Sequence, residues 1–95
     1  MGIFKISPVA AHDLINIYVR GVQQWGPDKA ERYQHELMSA FQLLADNPEM
    51  GRPVTIRPAL QRHEVSPYVI FYRKFSYGVR IARLLYKNRV MEKHL

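Results

Sequence analysis

Two helical stretches separated by nothing but Gly26-Pro27 constrain this chain more than any other feature. From Pro8 to Trp25, apolar residues recur at Ala11, Leu14, Tyr18, Val22 and Trp25, with Ile15 and Val19 widening the stripe. Spacings of three and four set these positions along one side of an α-helix. A second helix over Pro27 to Ala45 carries Ala30, Tyr33, Leu37, Phe41 and Leu44 on one face and Lys29, Arg32, Gln34, Glu36 and Gln42 on the other. Glycine ends the first helix and proline starts the second without losing a hydrogen bond, so the two must fold back as a hairpin with an apolar side to bury.

The rest of the chain supplies what that side packs against. Ile3-Phe4-Lys5-Ile6 is short and apolar, and Ser7-Pro8 follows it at once, a capping serine with proline at the first helical position. A first strand runs directly into the first helix. Asp46-Asn47-Pro48 closes the second helix, and residues 48–58, with Pro48, Gly51, Pro53 and Pro58, read as an irregular connection. Three strands follow, at Leu60 to Val65, Tyr68 to Lys74 and Val79 to Leu85, separated by Ser66-Pro67 and by Phe75-Ser76-Tyr77-Gly78. Val79 and Ile81 face one way with Arg80 opposite, but Arg83-Leu84-Leu85-Tyr86 breaks the alternation and predicts a bulge or strand end near Arg83. The tail from Lys87 to Leu95 forms a short helix or crosses the sheet.

The expected fold class is α+β: an N-terminal strand, a helical hairpin, then a three-stranded antiparallel meander, forming one four-stranded sheet with both helices on one face. A chain of 95 residues supports one domain, taken as residues 1–95, with a thin core. Its 47% apolar and 23% charged content suits a folded globule.

Several chemistries are excluded or unsupported. The absence of cysteine removes disulfides, thiolate metal sites and thiol nucleophiles. His12, His35, His63 and His94 lack the spacing of a metal motif, and no metal or other cofactor is expected. No window is long and apolar enough to cross a bilayer and Met1 to Pro8 carries no cleavage signal, so a cytoplasmic protein without a membrane partner is expected.

Charge is divided unequally. Residues 1–50 hold 4 basic and 6 acidic side chains and residues 51–95 hold 10 and 2, so the net +6 comes from the second half. Such asymmetry points to a basic face that meets an acidic protein or a nucleic acid, and the sheet face left open by the helices is where it would lie. Arg57, Arg62, Arg73, Arg80, Arg83 and Arg89, interleaved with Tyr72 and Tyr86, suit phosphate clamping and base stacking without specifying them. For metal-free RNA cleavage, His63 is the available general base, with Arg62, Arg73 and Arg83 as positive groups around a phosphate. Glu64, next to His63, points to the opposite face of a strand, so no carboxylate partner accompanies it.

The order and spacing of these features are similar to a known family along essentially the whole chain. They comprise Ala10 with Asp13-Leu14, Trp25-Gly26, Tyr33 with Leu37 and Phe41, Leu44-Ala45, Asn47-Pro48, Gly51-Arg52, the tract from Arg57 to Arg62, HEVSPYVIFYR and VRIARLLYKNRVMEKHL. The sequence resembles the ParE-like branch of the RelE/ParE toxin superfamily. The resemblance implies the toxin of a type II toxin–antitoxin pair, often tied to plasmid stabilisation, that inhibits growth by trapping the cleavage complex of DNA gyrase. It implies no catalytic residue, and contact with DNA only through gyrase or antitoxin. It further implies a ParD-like antitoxin that wraps the toxin, covering the hairpin and the open sheet; Tyr18, Trp25, Tyr72 and Arg73 are the expected antitoxin contacts. Arg80, Arg83, Lys87 and Arg89, at the basic exit of the sheet, are the expected gyrase contacts. The RelE-like branch instead cleaves messenger RNA on the ribosome, and the tail here lacks that branch's catalytic tyrosine. Tyr86 stands where ParE-like sequences commonly show histidine, and an acidic residue often found at the place of Val90 or Met91 is absent.

Overall fold

A computed structural model describes residues 1–89. Strand β1 (Ile3–Ile6) leads into helix α1 (Pro8–Trp25) and helix α2 (Pro27–Asp46). A 3₁₀ turn (Pro48–Met50) precedes β2 (Arg52–Val54), β3 (Arg57–Val65), β4 (Tyr68–Phe75) and β5 (Gly78–Tyr86), and a second 3₁₀ turn spans Lys87–Arg89. The tail beyond it, expected as a helix or crossing segment, lies outside the described residues.

The α+β architecture is as expected, with one strand more. The sheet is five-stranded in the order β1-β5-β4-β3-β2. β1 runs parallel to β5 and the other pairs are antiparallel. The extra strand, β2, sits inside the stretch expected to be irregular, and β3 begins at Arg57 rather than Leu60. Pro53 masks β2 in the sequence, yet proline is tolerated on an edge strand, where its missing N–H faces away from the ladder.

Local chemistry sets the element ends. The Ser7 hydroxyl accepts from the Ala10 amide at 3.0 Å and donates to the Ala82 carbonyl at 2.9 Å, so one side chain caps α1 and ties it to β5. Gly26, at φ 88°, takes the positive-φ conformation that lets α1 stop and Pro27 start α2. The β4–β5 register shifts between Phe71, opposite Arg83, and Tyr72, opposite Ile81, leaving Ala82 as the extra residue. This is the bulge that the broken alternation near Arg83 predicts.

The main core lies between the helices and the sheet. Leu14, Ile17, Leu37, Phe41 and Leu44 meet Ile70, Tyr72, Val79, Ile81 and Leu84, with Phe4 and Ile6 packed against them. The face of α1 that does this is not the one its large apolar residues suggest. Ala10, Asp13, Leu14, Ile17 and Gly21 are buried, whereas Ile15 is 62% exposed and Tyr18, Val19 and Trp25 also face solvent. Close approach explains the rotation: a Cβ on Gly21 would stand 3.1 Å from that of Ala30, so the helices pack through small residues. The other sheet face holds a smaller cluster of Val54, Leu60, Val69 and Phe71 with Ala82 and Leu85 against it.

Candidate functional site

Alternation along three strands assembles a positive row on the sheet face turned away from the helices. Phe4 and Ile6, Val79 and Ile81, and Tyr72 all pack into the helix-side core, so Lys5, Arg80 and Arg73 point the other way. The register sets Lys5 opposite Arg80 and Arg80 opposite Arg73. Three exposed cations therefore stand side by side on β1, β5 and β4, about 10 Å from end to end. None forms an ion pair with a described carboxylate. Like charges directly opposite each other destabilise a sheet by roughly 0.2–1 kcal/mol per pair, so stability alone does not favour the row.

Aromatic surface adjoins it. Phe75, two residues beyond Arg73 on the same face of β4, is 45% exposed. Its ring stacks on Tyr77, with centroids 5.2 Å apart and planes 6° from parallel. The Lys5 ammonium lies 4.6 Å from the centre of the Tyr77 ring. Gly78, between Phe75 and Ile3 in the register, adopts φ 143° and lies so near β1 that a Cβ would stand 2.1 Å from the Ile3 carbonyl oxygen. One row further along, the Arg62 guanidinium carbon is 6.0 Å from the centre of the Phe71 ring.

The far end of β5 is built differently. Asp13 of α1, 9% exposed, accepts from Arg83 Nε at 3.2 Å, from Arg83 Nη2 at 3.3 Å and from the Leu84 amide at 3.0 Å. The bulge aims Arg83 at α1, and the forked pair fastens helix to strand. Beside it is a cavity of about 160 Å³ lined by Asn16, Arg20, Tyr68 and Tyr86 among others. Lys87 pairs with Glu64 at 2.9 Å. Hydrogen bonds from Lys87 and Ser66 hold the Glu64 carboxyl below the usual carboxylate range.

The expected site residues thus separate. Arg80 joins Lys5 and Arg73 rather than Arg83, Lys87 and Arg89; six residues of strand lie between Arg80 and Lys87, a span of about 23 Å. Arg83 is held by Asp13 and Lys87 by Glu64, while the backbone of Arg89 falls in the final 3₁₀ turn. Tyr18 and Trp25 do lie on the surface, along an apolar flank of α1 with Ile15 and Val19, and Lys29 stands 5.5 Å from the Trp25 ring centre. Tyr72 does not lie on the surface. It is fully buried, its hydroxyl donating to the Pro48 carbonyl and accepting from the Gly51 amide, both at 2.9 Å, so it is an internal strut and not an antitoxin contact. Burial pushes its phenol upward.

The four residues weighed for RNA cleavage do not converge. His63 is opposite Ile70 and lies on the helix-side face, Arg62 and Arg73 lie on the other, and Arg83 is bound to Asp13. Among the described residues no group of three His, Asp or Glu side chains is placed to hold a metal ion, and no helix is long and apolar enough to cross a membrane. Lys5, Phe75 and Tyr77 are the members of the positive face that sequence reasoning passed over.

A strand, a helical hairpin and a mixed sheet packed against it agree with what comparison with known proteins finds. The model of the ParE toxin family, described as the ParE toxin of the type II toxin–antitoxin system parDE, matches residues 4–91. The chain belongs to the ParE toxin family. Toxin ParE1 of Caulobacter vibrioides is 31% identical over 93 residues, covering 97% of this chain and 96% of that protein. Toxin ParE1 of Mycobacterium tuberculosis is 31% identical over 94 residues, with the same coverage. Among solved structures, a chain described as belonging to the chromosomal ParDE TA system from P. aeruginosa superposes with a TM-score of 0.78 at 26% identity, over 90% of this chain and 96% of that one. As a ParE toxin, the protein is the toxin component of a ParE-type toxin–antitoxin module.

Proposed function

We propose that this ParE toxin arrests growth by stabilising the cleavage complex of DNA gyrase, without chemistry of its own, until a cognate ParD-like antitoxin covers it. The near full-length match to ParE toxins carries the proposal. The separation of His63 from Arg62, Arg73 and Arg83 supports a non-enzymatic mode over RNA cleavage, which requires base and phosphate-binding groups to meet at one bond.

The apolar flank of α1, with Ile15, Tyr18, Val19 and Trp25, is the antitoxin's hydrophobic footing, and Arg73 is the cation its acidic residues meet on the open sheet. Gyrase contact falls to Arg80 together with Lys87 and Arg89, while Arg83 acts through its grip on Asp13.

The test is to incubate the protein with gyrase, ATP and supercoiled plasmid, trap with detergent and protease, and score linear DNA. Linear product that disappears when the antitoxin is added is the expected result. Intact plasmid with full gyrase activity from folded protein refutes it, and ordered messenger RNA cuts on expression would then mark a ribosome-dependent endoribonuclease.

A further inference from the structure

We infer that the hairpin end of the open sheet face is a binding site for single-stranded nucleic acid, with Lys5, Arg80 and Arg73 on the phosphates and Phe75 offering its ring to a base. Three observations lead there. The cations are neighbours across three strands, exposed, and unpaired among the described residues, an arrangement that repels itself and that a line of phosphates would neutralise. Next to the cation row runs a second row of different character: Phe75 and Ile3, both exposed, lie on either side of Gly78 in the register, with the β1 backbone packed closely against the glycine. Tyr77 backs Phe75 in a near-parallel stack, so the aromatic surface is rigid and stands beside the charges.

A positive track with adjoining aromatic faces is what binds a single strand without regard to sequence, because every base has a π-face and every nucleotide a phosphate. An acidic peptide would satisfy the cations, yet it would leave the stacked rings without a role. A duplex keeps its base faces inside its own stack. The single strand is the occupant that uses both rows.

The inference does not rest on gyrase as target, and its test contains none. The full-length protein is titrated into a fluorescein-labelled oligothymidylate of about 12 nucleotides, long enough for the site sizes usual for such grooves, and anisotropy is followed at several salt concentrations. Binding is expected, with log affinity falling linearly against log salt, and each of Lys5→Gln, Arg73→Gln and Arg80→Gln should reduce the slope by about 0.7. Phe75→Ala should weaken binding about fivefold or more with the slope unchanged. Arg32→Gln, an equal charge loss on the exposed face of α2, should leave both quantities where they were. Circular dichroism confirms that each variant is folded.

No binding at low salt overturns the proposal, as does binding that all four patch variants leave unchanged. A glutamate-rich peptide of equal charge that displaces the oligonucleotide, and binds more tightly through the same residues, makes the patch an acidic-peptide site. If gyrase poisoning fails while the oligonucleotide result stands, the target is wrong and the patch is right; the reverse pair of results removes the patch alone.

Discussion

Replacing Asp13 by alanine tests the joint between α1 and β5. Its carboxylate takes two hydrogen bonds from Arg83 and one from the Leu84 amide. With alanine the buried Leu84 N–H is left unsatisfied, a cost of about 1–3 kcal/mol. Loss of the ion pair adds only about 1 kcal/mol, because the Arg83 side chain is 38% exposed and can turn to water. Alanine's better helix propensity returns up to about 0.7 kcal/mol. The net loss is about 1.3–3.3 kcal/mol, a large share of what a domain of this size possesses. At the sensitivity of small domains the melting temperature falls by roughly 5–25 °C. Thermal and urea unfolding, read by circular dichroism, give the value directly. Arg83→Gln should cost less, about 1–2 kcal/mol, since Asp13 still accepts from Leu84. An Asp13→Ala loss below about 0.5 kcal/mol, or an Arg83→Gln loss larger than it, would refute the reasoning.

Tyr72→Phe removes the hydroxyl that joins Pro48 to Gly51 and should cost about 1–3 kcal/mol in urea unfolding; a loss inside about 0.5 kcal/mol would mean the strut carries no load. Burial raises the Tyr33, Tyr68 and Tyr72 phenols above their ordinary value near 10. The folded state therefore holds these protons more tightly than the unfolded chain, so their contribution is intact below pH 10 or so and is lost as pH rises beyond it. Tyrosinate absorbance from these rings should appear together with unfolding, and complete titration of a chain that stays folded would contradict this. Gly78→Ala puts a methyl group 2.1 Å from the Ile3 carbonyl oxygen at φ 143° and should loosen β1, read as faster hydrogen exchange at the Lys5 amide; unchanged protection would contradict the close approach. Ile15→Asp, on the exposed flank of α1, should weaken antitoxin binding about tenfold or more by calorimetry while stability stays within about 0.5 kcal/mol; unchanged affinity would move the antitoxin's footing elsewhere.

What the sequence made legible is local. The helical hairpin followed from Gly26-Pro27 and two periodic stripes, and the bulge from a lapse in alternation before Arg83. The buried face of α1 did not follow, because Gly21, Ala10 and Asp13 determine it through close approach and a buried pair, while periodicity counts large apolar residues. β2 escaped because prolines in a three-residue edge strand look like loop. The sequence allows Tyr72 either a ring packed in the core or an antitoxin contact, and does not decide between them because its partners, Pro48 and Gly51, belong to a connection with no regular pattern. The positive row was hidden for another reason. Lys5 comes from the acidic half of the chain, and only the β1–β5 register brings it beside Arg80.

That same pairing orders events during synthesis. Among the described residues the first strand has no ladder partner except β5, and Ser7 and Asp13 likewise find theirs at Ala82, Arg83 and Leu84. At the usual 5–20 residues per second, the helices leave the ribosome several seconds before the strand that completes their sheet. Until then β1 and the helix-side apolar face stand open, and a chain stopped before Gly78 should have no closed core. A fold assembled this way stays open until β5 has been made.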